Sequence, residues 1–221
     1  MIRGLSLVFC AAIGLAGCGT LYETGSATGE SNDGFANRLL GRGKDAGPQQ
    51  VDVQKILTET TGPLAILSQE QTQVTILLRK IAQNGGHSTY VSDDGQSLSF
   101  RRGIITATRG GGNDLMATEM ESSVALISSK REGKSNRRMH YLNGEGERFS
   151  LSFDCEVLRG KREPFVSGLI STTTQLMVEQ CRSDQYEFAN TYLISSDGQV
   201  LGSRQWINPQ VGSVVFQMIR R

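Results

Sequence analysis

The sequence predicts a single mainly-β domain of ten or more mostly antiparallel strands, barrel-like or sandwich, with one N-terminal amphipathic helix. Three observations carry this reading. Short β-rich runs follow one another at close spacing from Leu64 to the C-terminus. Asp94-Gly95 and Asp197-Gly198 separate such runs, and a two-residue hairpin turn favours residues that tolerate positive φ. Within Phe149–Val157 the alternation is complete. Phe149, Leu151, Phe153, Cys155 and Val157 point one way, and Ser150, Ser152, Asp154 and Glu156 the other.

Ahead of the domain stands a different kind of segment. Met1-Ile2-Arg3 precedes an apolar run, Leu5 to Leu15, interrupted by Ser6 and Gly14. A basic start, a short apolar stretch and small residues before a cut read as a signal peptide over residues 1–17. The run is shorter than the about 20 residues that cross a bilayer. It ends in Leu15-Ala16-Gly17-Cys18, which resembles the lipobox of bacterial lipoproteins, where the thiol is acylated, the preceding bond is cut and the freed amine is acylated. The alternative is an ordinary cleavage site with an incidental cysteine. On the lipobox reading the mature chain begins at Cys18 and carries covalent lipid there; no other cofactor is expected.

Charge narrows the partners. The chain has 23 basic and 22 acidic residues, and losing Arg3 leaves 22 against 22. A neutral chain offers no electrostatic reason to bind nucleic acid or anionic headgroups. Membrane attachment therefore rests on acyl chains, at about 0.8 kcal/mol per buried CH₂.

Residues 18–50 form a tether, with seven glycines after Cys18 and many Ser, Thr, Asn and charged residues. Such a composition buries too little apolar surface to offset its ordering entropy. The domain spans 51–221. Val51, Val53, Ile56, Leu57 and Thr60 make a helical stripe that Gly62-Pro63 ends. Strands are predicted at Leu64–Ser68, Val74–Ala82, His87–Val91, Gln96–Phe100 and Ile104–Thr108. Asp114 is placed to start a short helix through Leu115, Met116 and Ala117. Further strands are predicted at Val124–Ser128, Arg137–Leu142 (closed by Asn143-Gly144), Phe149–Val157, Phe165–Ile170, Thr174–Cys181, Tyr186–Ile194, Gln199–Ile207 and Val214–Ile219.

Of four cysteines, Cys10 leaves with the signal and Cys18 takes lipid. Cys155 and Cys181 remain, an even pair in an oxidising compartment, and read as a disulfide. The alternatives are two free buried thiols or one redox thiol.

No enzyme is expected. The two histidines, His87 and His140, lie far apart with no ligands at metal spacing, so no metal site is assigned. Gly110–Gly112 lacks the GK[ST] ending of a phosphate loop, and no G-x-S-x-G elbow occurs. The Glu119/Glu121 and Asp154/Glu156 pairs have the spacing of a solvated strand face. A glycosidase is the enzymatic alternative, its mark a cleft with carboxylates about 5–9.5 Å apart. Candidate polymer or partner contacts are Arg204 and Trp206, which share a strand face and pair a planar donor with an aromatic ring. The competing role for Trp206 is a core anchor, with Arg204 as a bracing partner. Arg109 and Asp114 flank the glycine loop and are the second candidate pair.

Two runs carry a family resemblance. Gly103-Ile104-Ile105-Thr106-Ala107-Thr108-Arg109-Gly110, continued by Asp114-Leu115-Met116-Ala117, is similar to a "GLLVATRGxGxDLM" segment. Phe188-Ala189-Asn190-Thr191-Tyr192, Asp197-Gly198 and Ser203-Arg204-Gln205-Trp206-Ile207, with Pro209 and Gly212, are similar to an "F-N-Y…G…SRQW…P..G" ending. With the lipobox and the Cys155/Cys181 spacing, the chain resembles the YjbF/GfcB family of exopolysaccharide and group 4 capsule lipoproteins from about Gln50 to Arg221. The resemblance implies a non-enzymatic accessory part in making or exporting a secreted polysaccharide. The partners it implies are an outer-membrane barrel, periplasmic export proteins and the polymer itself. Gly19 rather than Asp after the lipidated cysteine fits sorting to the outer membrane, facing the periplasm. A purely structural envelope lipoprotein is the remaining alternative.

Overall fold

The computed structural model describes residues 53–110, 114–142 and 146–221. The signal peptide, Cys18, the tether and Val51 lie outside the described residues, as do the glycines of 111–112 and the Asn143-Gly144 turn.

Twelve antiparallel strands form one sheet that curls into a nearly closed barrel. They are β1 (Leu64–Gln69), β2 (Thr75–Asn84), β3 (His87–Val91), β4 (Ser97–Arg101), β5 (Ile104–Arg109), β6 (Leu115–Glu119), β7 (Gly133–Leu142), β8 (Arg148–Ser167), β9 (Ile170–Arg182), β10 (Glu187–Ile194), β11 (Val200–Asn208) and β12 (Gly212–Arg220). Each strand pairs with its neighbour in sequence except β5 with β6, and one further ladder closes the sheet. The first and last strands, β1 and β12, pair through Leu64↔Arg220 to Gln69↔Val214. Between β5 and β6 the ladder is missing, and these two strands are the ends of the sheet order.

Alternation sorts the side chains. Ala65 and Leu67 point into the barrel with Leu78, Tyr90, Phe100 and Phe216. Leu64 and Ile66 point out, where helix α1 (Val53–Glu59) covers them with Val53, Ile56 and Leu57. In mid-barrel Tyr90, Phe100 and Phe216 meet ring to ring at 4.8–5.5 Å, a geometry worth about 0.5–1.5 kcal/mol per pair beyond burial. Burial pushes the Tyr90 hydroxyl up to about 12. Tyr141 reaches across from β7, donating to the Ile207 carbonyl of β11 at 2.5 Å. Opposite walls are thus one side chain apart, and the barrel's middle is filled.

One end is closed by helix α2 (Glu121–Ser128). This stretch corrects the sequence reading twice, since a strand was predicted at Val124–Ser128 and a helix at Asp114–Ala117. Met120, Val124 and Ile127 recur at helical spacing and seat on Ile104, Val157, Met177, Tyr192, Ile194 and Val200. Tertiary burial of that stripe overrides the β preference of Val and Ile. Asp114 does not start a helix: its carboxylate accepts from the Thr108 hydroxyl and the Gly110 N–H, and Leu115 to Glu119 is strand β6.

The same end is wrapped by the β8–β9 hairpin. The two strands run to Ser167↔Ile170 with a register shift between Arg159 and Arg162, so the predicted strand at Phe165–Ile170 is instead the hairpin's tip. Phe165 lies against Gly202, where an added Cβ would stand 2.9 Å from its ring. Gly168, at φ +53°, brings the tip onto β12 so closely that a Cβ would meet the Ile219 carbonyl oxygen at 2.3 Å. The Leu169 N–H donates to that same carbonyl at 2.8 Å.

Candidate functional site

The wall from β7 to β10 holds a polar network inside the barrel. Arg137 and Glu179 are 1% and 0% exposed and pair at 3.0 Å. Arg137 Nη2 also donates to the Tyr192 hydroxyl at 3.1 Å. Glu179 accepts from Tyr192 Oη at 3.0 Å and from Asn190 Nδ2 at 3.1 Å. Burial alone would raise the Glu179 carboxyl, but Arg137 and these donors hold it below its ordinary value. Burial likewise works against the Arg137 charge, and Glu179 outweighs it. Burial and the Glu179 charge push the Tyr192 hydroxyl well above its ordinary range. The sequence reading assigned no role to these residues. The signal was available in the parity that puts Met177, Glu179 and Cys181 on one strand face.

Cys155 and Cys181 stand opposite each other in the β8–β9 register and are bonded, with Cα atoms 4.1 Å apart. Glu179 completes a group of three potential ligands with them. The bonded sulfurs offer no thiolate and the carboxylate is taken by Arg137, so this group does not make a metal site.

Arg109 and Asp114 do come together, at the β5–β6 seam. Asp114 holds Thr108 and Gly110 as described, and Thr108 Oγ1 accepts the Leu115 N–H at 3.0 Å. Arg109 donates to the Leu115 carbonyl at 3.0 Å and the Met116 carbonyl at 3.4 Å. Thr118 Oγ1 donates to the Thr106 carbonyl at 3.4 Å. Side chains bridge the gap that a ladder bridges elsewhere.

Arg204 and Trp206 act at a second gap. The β10–β11 ladder starts at Thr191↔Arg204. Beyond it the Asn190 side-chain oxygen accepts the Trp206 N–H at 2.8 Å. The indole stacks on Phe188 (4.6 Å, 9°) and meets Phe153 and Tyr186, so one face is covered by another ring. Arg204 forms a two-pronged pair with Glu70 (2.7 and 2.8 Å) and donates to the Ala189 carbonyl. Gln205, between them, points inward. Its oxygen accepts the Ile105 N–H at 2.8 Å and its amide donates to the Gly103 carbonyl at 3.0 Å.

Two cavities among the described residues bear on a site. One, about 530 Å³, is an open polar cleft on the outer side of β6–β9, with Glu119, Glu121, Asp154 and Asp184 set among Arg138 and Arg182. Beside it His140 bridges Glu119 (2.9 Å) and Ser150 (2.8 Å). Backbone N–H groups, then Arg101, hold the Glu121 carboxyl below its usual value. The other, about 310 Å³, opens at the barrel end opposite α2, and half of its lining residues are aliphatic.

The family described as group 4 capsule polysaccharide lipoprotein gfcB, YjbF, matches residues 38–219. No curated protein matches the sequence. Among solved structures, the hypothetical lipoprotein YmcC from Escherichia coli (K12) shares the fold at a TM-score of 0.66 and 17% identity, over 89% of this chain and 98% of that one.

Proposed function

The chain belongs to the YjbF family of group 4 capsule polysaccharide lipoproteins, and on that footing we propose that it is a non-enzymatic accessory component of capsule or exopolysaccharide assembly or export. In this reading it is lipid-anchored through Cys18 to the outer membrane, faces the periplasm on its tether, and docks to an outer-membrane barrel or a periplasmic export protein. The observation that carries the reading is the family match over residues 38–219.

The geometry adds a surface. Arg204 and Trp206 are committed to bracing contacts, whereas the outer cleft presents planar carboxylates and guanidinium groups to solvent. Such groups match saccharide hydroxyls and polar partner surfaces. The cleft's carboxylates also favour the glycosidase alternative, but Glu121 is shifted down, opposite to what a general acid needs.

Crosslinking from membranes with the lipidated protein tests the proposal. Recovery of an outer-membrane barrel or periplasmic export protein, lost in an Arg138→Ala/Arg182→Ala double variant, is the expected result. Hydrolysis of the polymer by the purified protein, abolished by Glu119→Gln, would replace the accessory role with the enzymatic one. Normal polymer export after deletion of the gene would leave only a structural envelope role.

A further inference from the structure

We propose that the open mouth of the barrel is a binding site for an anionic single-chain amphiphile of the fatty-acid class, tail inward and headgroup at Arg109. Its shape argues for a tail. Leu67, Ile76, Leu98, Ile207 and Val214 line the cavity, and Val74, 52% exposed, stands at its rim. Leu67 and Leu98 of the lining belong to the same core that holds the Tyr90, Phe100 and Phe216 rings. At about 30 Å³ for a water-sized group, some 310 Å³ holds about ten heavy atoms. That is one chain of moderate length, in the mouth of a β-barrel where such ligands characteristically sit.

Charge argues for the head. Among the described residues, Arg109 is the only charged one lining the cavity. Its guanidinium donates to the neutral carbonyls of Thr108, Leu115 and Met116 and pairs with no carboxylate among the described residues. The other polar groups of the rim bond one another: Gln69 holds the Val211 carbonyl and the Thr72 hydroxyl, and Thr108 holds Asp114. A cation bonded only to neutral carbonyls, in the lining of a cavity rich in aliphatic groups, recognises a carboxylate carrying an alkyl chain.

The test uses the mature chain, residues 18–221, carrying Cys18→Ser so that no covalent acyl group competes. Calorimetric titration with octanoate, decanoate, dodecanoate and tetradecanoate, each kept monomeric, reads affinity. One site per chain is expected, with about tenfold tighter binding per added pair of methylenes until the cavity fills near ten carbons. Val74→Glu should weaken dodecanoate at least tenfold. Arg109→Gln should weaken it about tenfold while Arg109→Lys restores it, which separates headgroup recognition from the seam bonds that lysine cannot remake. Dodecyltrimethylammonium, with the same tail and the opposite charge, should bind Arg109→Gln at least as well as the parent. Absence of dodecanoate binding to the folded parent overturns the proposal, as does equal affinity for the cationic surfactant or binding unaffected by Val74→Glu.

Discussion

The barrel closes twice, by opposite means. The chain's first and last strands meet in a continuous ladder, Leu64↔Arg220 to Gln69↔Val214. By contrast β5 and β6, only a short loop apart in sequence, share no ladder and are bridged by Thr108, Asp114, Arg109 and Thr118. Proximity in sequence therefore does not decide pairing here. The wall from β7 round to β1 is backbone-paired and internally braced. The seam is a latch of side chains, each bond partly exposed to water and worth about 0.5–1.5 kcal/mol net. Local opening should start there.

The wall's largest dependence is on its buried charges. Glu179→Ala strands Arg137 in the interior and should cost about 3–5 kcal/mol, read as loss of folding or a deep drop in Tm. Arg137→Met with Glu179→Leu should recover much of that loss, because no unpaired charge remains. A double variant as unstable as the single would show that the network, not the charge, matters. The same group sets an acid limit. Glu179 is held below its ordinary value in the folded state, so its stabilisation is present above the unfolded pKa and is lost as pH falls through the folded value. Denaturation followed against pH should show the parent weakening below about pH 4.5, with a flatter profile in Glu179→Gln.

Next in size comes the disulfide. Its 26-residue separation predicts a loss of about 3.5 kcal/mol on reduction by the chain-entropy argument. Identical melting of oxidised and reduced protein would remove it from the wall's account. Gln205→Leu should cost about 1–3 kcal/mol, since the Ile105 N–H and Gly103 carbonyl lose their partner inside the barrel. Asp114→Ala should cost only about 1 kcal/mol globally, yet raise amide exchange in β5 and β6 while leaving β9 and β10 protected. Uniformly faster exchange would mean that the seam and the wall open together.

The two sequence runs that carry the family resemblance meet in space. Gln205 of the Ser203–Ile207 run bonds Gly103 and Ile105 of the other, about a hundred positions earlier. Two of the candidates chosen from sequence, Asp114 and Arg204, also make fastening contacts within the barrel. Arg204 and Trp206 share a strand face in the sequence, but the Asn190 side chain beside Trp206 marks a break in the ladder that periodicity does not reveal. Val124–Ser128 misread as strand because its helical stripe is visible only once Ile104, Val157 and Tyr192 supply the surface that it buries.

By itself the sequence determined the mainly-β class, most strand positions, and the inward parity of Phe153, Cys155 and Val157. These depend on period-two alternation and turn residues, which act within a few positions of one another. Only the tertiary structure decided that one sheet curls into a barrel, that its gap falls between β5 and β6, and that Arg137 finds Glu179. Those outcomes depend on which distant side chains share a volume, and strand patterns are silent on that. The cavity lined by Leu67, Leu98 and Ile207 belongs to the same class, assembled from six strands none of which encodes it alone.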